Sequence, residues 1–297
     1  KSLKMKVIQE LKESGRIKPF IATGILSAEF VERKEFYGFT NQTNFKFIKG
    51  DLKNFSSWKE KVEEFSPEAC IHLAWSGLPD YSLSRCLENF DISIRLLHFL
   101  THIGCKRVFI AGTCWEYGDI QGQTSENIQP ETPNLFASFK TAIRLVGEQL
   151  ASSKDINFIW GRIFFVYGPG QRPTSLIPSC YQSLKNGKTP ELRNPNAIND
   201  FIHVSDVAKA ILRLIESPSA QGVFNIGSGK SRRVIDICRI MAKKLNLENL
   251  LPEAINCHQD NGLWADTSLI NETIGWHPEL SIETGISETI RSLELES

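Results

Sequence analysis

The chain has 297 residues, with 34 Lys plus Arg balancing 34 Asp plus Glu, and 41% of its residues are hydrophobic. This is globular composition at a length suited to one or two domains with a substantial core. Zero net charge gives no general affinity for nucleic acid, no apolar run approaches the roughly 18 residues of a membrane span, and no secretory leader pattern opens the sequence. The seven cysteines (Cys70, Cys86, Cys105, Cys114, Cys180, Cys238 and Cys257) are odd in number and show no CxxC spacing. They argue against a disulfide framework or zinc site and for a reducing, cytoplasmic setting.

Leu3, Val7, Ile8 and Leu11 recur at helical spacing, and Gly15 follows as a stop. Residues 20–22 and 45–49 read as short strands, the second ending in Gly50-Asp51. A capped helix is expected over 56–65, an apolar strand over 69–74 and a long helix over 82–103, with Leu96, Leu97 and Leu100 inward. A strand over 107–111, a helix over 133–151 and a strand over 157–165 continue the alternation. Strands alternating with helices predict an α/β chain built on a doubly wound parallel sheet. After Tyr167, Pro169, Gly170, Pro173, Pro178, Gly187, Pro190 and Pro195 break the rhythm. The expected division is 1–167 for the sheet domain and 168–297 for a smaller region, with 200–227 returning to the first. Later helices are expected near 205–216, 233–245 and 282–293.

Several segments recur in a telling order. They are Gly50-Asp51-Leu52, Ile71-His72-Leu73-Ala74-Trp75, Asn89, the run from Ala111 to Gly118 (AGTCWEYG), Lys140 and the run from Arg162 to Gly170. Asp200-Phe201-Ile202-His203-Val204, Phe224-Asn225-Ile226-Gly227-Ser228-Gly229 and Trp264-Ala265-Asp266 complete the set. Together they resemble the extended short-chain dehydrogenase/reductase family, which includes nucleoside-diphosphate-sugar epimerases, dehydratases and 4-ketoreductases. The resemblance covers almost the whole chain and implies a Rossmann-like sheet with a C-terminal substrate-binding region. It also implies NAD or NADP as cofactor and a nucleotide-sugar substrate. A homodimer through helices 82–103 and 133–151 is a further implication.

The family pairs Tyr and Lys one helical turn apart, on one helix face. The ammonium lowers the tyrosine pKa and holds the nicotinamide ribose, while the phenol moves a proton as hydride is transferred. Here Lys140 is present, but Phe136 stands where the tyrosine would be, and Phe139 stands just before the lysine. The implied catalytic set is Thr113, Phe136 and Lys140. The implied cofactor-binding set is Asp51, Leu52, Leu73, Ala74, Trp75, Lys140 and Phe164. Substrate contacts are expected from Trp115, Glu116, Phe165, Arg172, Arg193 and Asn199. Asp51, at a strand end, can accept a hydrogen bond from an adenine amino group or cap the following helix. Glu116 and Tyr117, read as lying at the pocket mouth, are candidate substitutes for the missing phenol.

Other departures bear on fold and substrate. The family's opening strand and glycine-rich turn have no counterpart, and residues 1–14 look like the helix that follows them. One reading makes 20–22 the second strand, with a central strand lying upstream of Lys1. The other makes 20–24 the first strand, with 25–36 as its helix. An Arg expected to bind diphosphate is replaced by Asn199, and a second falls near Cys257. The Lys230, Arg232, Arg233 cluster reads as a solvated helix start or a phosphate contact. His98 and His102 share a helix face without a third ligand, so no metal is expected. Two functions stay open: an NAD(P)-dependent nucleotide-sugar reductase or epimerase/dehydratase, and a catalytically inactive relative that binds a nucleotide or a partner.

Overall fold

The computed structural model describes residues 2–13, 20–23, 48, 50–251 and 262–296. The strand expected over 45–49, apart from residue 48, the helix expected over 25–36 and Cys257 lie outside them. Five parallel strands form the main sheet: β1 (Phe20–Thr23), β2 (Ala69–His72), β3 (Arg107–Ala111), β5 (Asn157–Ile163) and β8 (Gly222–Ile226), in the order β1-β2-β3-β5-β8. Phe20 pairs with Ala69 and Thr23 with His72. Among the described residues the 20–23 segment is thus the direct neighbour of β2.

Alternation along the strands sorts side chains to two faces. Ile71, Phe109, Ile159 and Phe224 point to one face and pack with Val7 of α1 (Ser2–Glu13) and with Val207, Ile211 and Leu214 of α6 (Val204–Glu216). Cys70, Val108, Ile110, Phe158 and Trp160 point to the other. There they meet Leu96, Leu97 and Leu100 of α3 (Leu83–His102) and Ile143 of α4 (Leu135–Ser153). Both faces are covered, as a parallel sheet requires. The helix starts are set locally. Ser82 accepts from the Arg85 N–H at 3.4 Å, and Asn134 accepts from the Ala137 N–H at 3.0 Å. The 56–65 helix differs from expectation. A 3-10 turn (Phe55–Ser57) precedes α2 (Lys59–Phe65), and the Ser56 hydroxyl donates to Asn54 Oδ1 instead of capping.

A second sheet runs β4-β10-β7-β6, from β4 (Gly122–Thr124), β10 (Gly262–Ala265), β7 (Ile198–His203) and β6 (Phe165–Tyr167). β9 (Ser231–Arg233) joins β7 antiparallel. The expected 157–165 strand is therefore two strands in two sheets. Between them the Phe164 N–H bonds Ile226 O at 3.0 Å, and the chain then crosses to pair with β7. Residues 204–226 do return to the main sheet, whereas 198–203 stay in the second. Behind the second sheet, α5 (Leu176–Lys185), α7 (Val234–Leu245) and α9 (Ile282–Glu296) enclose a separate core of Tyr167, Tyr181, Leu184, Ile237, Met241 and Ile286. The remaining helix, α8 (Ser268–Ile274), puts Ile270 into the main-sheet core.

Candidate active site

The candidate site is built at the C-terminal ends of β2 and β3, where an open α/β sheet places its ligands. After β3 the chain turns through Gly112 and Thr113 into a 3-10 helix, Cys114–Tyr117. Thr113 Oγ1 accepts from the Trp115 N–H at 3.3 Å, and Glu116 Oε1 accepts from the Thr113 N–H at 3.0 Å. This reciprocal cap fixes the loop that carries Thr113. Gly112 leaves the space it needs, since a Cβ there would come within 2.8 Å of Glu116 Oε1.

Glu116 and Tyr117 do not lie at a pocket mouth. Both are sealed from solvent. Glu116 accepts from Trp160 Nε1 at 2.9 Å and pairs with Arg162 Nε at 3.1 Å. Tyr117 donates to Asn225 Oδ1 at 2.7 Å beneath the Arg162 guanidinium, and burial pushes its phenol up to about 12. Their polar atoms are consumed by the fold, which removes Glu116 from the substrate contacts and both residues from the candidate proton donors. Cys114 is likewise buried, with its thiol pushed up by burial. Phe164 is buried among Cys114, Tyr117 and Ala265, so its ring belongs to the core and not to a cofactor surface.

Phe136 and Lys140 lie one turn apart on α4 and share a face. Lys140 Nζ donates to Ala111 O at 2.7 Å and sits 4.4 Å from the Trp75 ring centroid. Burial pulls its ammonium down to about 8, against the upward pull of Glu116. Phe136 is caged by aromatic rings, with centroid distances of 5.0 Å to Trp75, 5.3 Å to Tyr81 and 5.8 Å to Trp115. The loop after β2 is held in place by Asn89 of α3. Its Oδ1 accepts from the Ser76 N–H at 2.6 Å, and its Nδ2 donates to Ser76 O at 3.0 Å. Trp75 Nε1 is a buried donor with no acceptor among the described residues.

The remaining expected residues divide. Leu73 is half-buried against the main core and Ala74 is buried, both just past β2. Asp51 is exposed, and its Oδ1 accepts from the Lys53 N–H at 3.0 Å within a turn that precedes the 3-10 segment, so it does not cap a helix. Leu52 packs against the core beside Trp58. Phe165 contacts Phe201 across the second sheet. Arg172 and Arg193 are exposed, and no described contact ties either to the cage around Phe136. Asn199 sits on β7 directly opposite Arg232 of β9. Arg233, by contrast, pairs with Asp236 at 2.8 Å, while His98 and His102 are exposed with ring centroids 4.9 Å apart. No metal-ligating cluster occurs among the described residues.

Sequence reasoning missed Tyr81, Trp160 and Arg162 as makers of the site. Tyr81 had one legible signal, its place between Asp80 and the helix-capping Ser82. The Glu116–Arg162 pair had none, because its partners are 46 positions apart.

Comparison with known proteins identifies the family. The model of the family described as NAD dependent epimerase/dehydratase matches residues 11–227. The chain is 28% identical over 260 residues to a UDP-glucuronate 4-epimerase of Thermodesulfobacterium geofontis, covering 83% of this chain and 79% of that protein. It is 25% identical over 248 residues to a dTDP-4-dehydro-6-deoxyglucose reductase of Escherichia coli, covering 79% and 77%. In fold it is similar to the UDP-glucuronic acid 4-epimerase of Bacillus cereus solved with UDP-glucuronic acid and NAD, with a TM-score of 0.83, 18% identity and coverage of 98% and 95%. It is equally similar to the dTDP-glucose 4,6-dehydratase of Bacillus anthracis solved with NAD, with a TM-score of 0.83, 18% identity and coverage of 98% and 93%. The family match alone spans well over half of the sequence, and the chain therefore belongs to the NAD dependent epimerase/dehydratase family.

Proposed function

We propose that this protein transfers hydride between a nicotinamide cofactor, NAD or NADP, and a nucleoside-diphosphate sugar, as a 4-ketoreductase or an epimerase/dehydratase. The observation that carries this reading is Lys140, a buried ammonium held at the end of β3 by Ala111 O. An ammonium has three donors, and the bond to Ala111 leaves the others for ribose hydroxyls. The unpartnered Trp75 Nε1 beside it and the small Ala74 also fit a bound dinucleotide. When bound, the nicotinamide supplies or accepts the hydride. Thr113 Oγ1, fixed by the cap, is the hydroxyl placed to hold the reacting oxygen.

Titration with NADH and NADPH, followed by cofactor fluorescence, tests this reading. The native protein is expected to bind one of them, and Lys140→Met to lose about tenfold or more in affinity, the scale of one charge-assisted hydrogen bond. Absence of binding by the native protein overturns the reading. Phe136 favours a second one, a cofactor-binding relative without turnover. On that reading Phe136→Tyr creates hydride transfer where the native protein has none. Leu83, Leu87, Leu135 and Leu145 leave exposed apolar side chains on α3 and α4, which supports a homodimer through these helices. Sedimentation should then give twice 33.5 kDa, and Leu87→Glu with Leu145→Glu should halve it.

A further inference from the structure

The family's proton-transferring phenol is replaced by Phe136, so a hydride-transferring site needs its proton from another side chain. The groups nearest to Thr113 and Lys140 are committed elsewhere. Glu116 is saturated by Thr113, Trp160 and Arg162, and the Tyr117 hydroxyl is spent on Asn225. The His72 imidazole is buried against Ser93 and held down to about 3 by burial, with Lys140 adding to the effect. Tyr167 and Tyr181 lie in the core of the second lobe.

Tyr81 is different. Its ring lies 5.3 Å from that of Phe136 and 5.5 Å from that of Trp115. It is only half-buried, and no described residue hydrogen-bonds its hydroxyl. Its backbone is nonetheless well held. Asp80 Oδ1 accepts from the Ser82 N–H at 2.9 Å, Ser82 caps α3, and the Cys86 thiol donates to Tyr81 O at 3.7 Å. A phenol on a fixed backbone, against the ring that lacks one, is the candidate acid/base group on this side of the site.

We propose that Tyr81 is the proton-transfer residue of this site, its phenol taking over from the hydroxyl that Phe136 lacks. The inference rests on the hydride-transfer reading above. In the reducing direction the carbonyl carbon of the sugar accepts hydride from reduced nicotinamide, which is thereby oxidised. The carbonyl oxygen takes the proton of Tyr81 Oη, and solvent water reprotonates the phenolate. In the oxidising direction each transfer reverses. Tyr81 is then a catalytic residue, and the aromatic cage positions it.

The test compares the full chain with Tyr81→Phe, which keeps the ring and its packing, and with Tyr81→Phe/Phe136→Tyr. Turnover is followed on UDP-glucuronate, UDP-glucose and dTDP-4-dehydro-6-deoxyglucose, and NADH affinity is measured in parallel. Tyr81→Phe is expected to lower turnover by about a hundredfold or more with NADH affinity unchanged, and the added Phe136→Tyr to restore part of it. Turnover retained by Tyr81→Phe overturns the proposal. A native chain that binds NADH and turns over none of the three probes also overturns it. Failure of the native chain to bind NADH is a distinct result, which removes the hydride-transfer reading itself.

Discussion

Glu116 and Asp200 are both sealed from solvent and both spend their oxygens on backbone N–H groups, yet only Glu116 faces a cation. Glu116 ties the loop after β3 to Trp160 and Arg162 of β5. Asp200, on β7, accepts from the Ser228 N–H and hydroxyl, both at 2.6 Å, from the Gly229 N–H at 2.9 Å and from the Ala265 N–H at 3.1 Å. It thereby joins three segments that are far apart in sequence, and Gly227 makes room, since a Cβ there would meet its Oδ2 at 2.6 Å. With only neutral donors around it, burial pushes the Asp200 carboxyl up despite those four bonds. A buried carboxylate with a counter-ion and one with dipoles alone fail differently when altered.

The largest effect should come from Glu116→Ala. It strips the buried Arg162 of its counter-ion and leaves the Thr113 N–H and Trp160 Nε1 unpaired. Breaking one side of a buried pair costs about 3–5 kcal/mol, so urea unfolding should show that loss. Replacing both partners, as Glu116→Gln with Arg162→Met, should recover most of it, because the isolated charge is gone. A double variant as unstable as the single one would put the cost in lost hydrogen bonds alone and erase the contrast with Asp200.

Asp200→Ala comes next. No charge is stranded, but three backbone donors and the Ser228 hydroxyl lose their acceptor, at about 1–3 kcal/mol for each one that water cannot reach. A loss of about 2–4 kcal/mol is expected. The pH dependence separates the two carboxylates further. A group whose folded pKa is raised binds its proton more readily when folded, so mild acid favours the native state through Asp200. The midpoint gap between native protein and Asp200→Ala should therefore widen as pH falls toward the carboxylate range. A narrowing gap would show that the four hydrogen bonds outweigh burial.

The sequence made the periodic parts of this molecule legible. Leu96, Leu97 and Leu100 point into the core as their spacing predicts, and β3 runs over the predicted 107–111. Phe136 and Lys140 share one face of α4, as their spacing predicts. What could not be read was the destination of single polar atoms. Glu116 follows Thr113 closely in sequence, and nothing local tells whether it faces a pocket or an arginine brought from the next strand. Asp200, Asn225 and Asp266 occur in the segments that carry the resemblance, and their sequence context assigns them no partner. Asp200 gathers backbone, and Asn225 bonds Tyr117, Thr124 O and Asp266 O. The partner of the 20–23 strand could not be read either, because a short apolar run carries no information about its neighbour in the sheet.

Lys140 carries the comparison to a third buried charge. Its folded pKa lies below the ordinary lysine value, so between about pH 8 and 10 the unfolded chain holds a proton that the folded chain has lost. Native stability therefore rises with pH across that window. Lys140→Met lacks this rise. The variant should be the more stable of the two at pH 7, and the native protein should gain on it by about 2–3 kcal/mol by pH 10. Because Glu116 opposes the shift, Glu116→Ala should move the window to lower pH. A gap independent of pH would mean that Lys140 keeps its proton throughout.

The smallest effect sharpens the role of the loop itself. Thr113 accepts one N–H through its side chain and gives its own N–H to Glu116. Thr113→Val removes only the first of these, and loss of a cap costs about 1 kcal/mol. Thr113→Ser keeps the oxygen and should stay within a few tenths of the native value. If Thr113→Val costs as little as Thr113→Ser, the Glu116–Arg162 pair holds the loop alone, and Thr113 is free of structural duty. Its hydroxyl would then be kept for the reacting oxygen, and turnover would fall in Thr113→Val while stability would not.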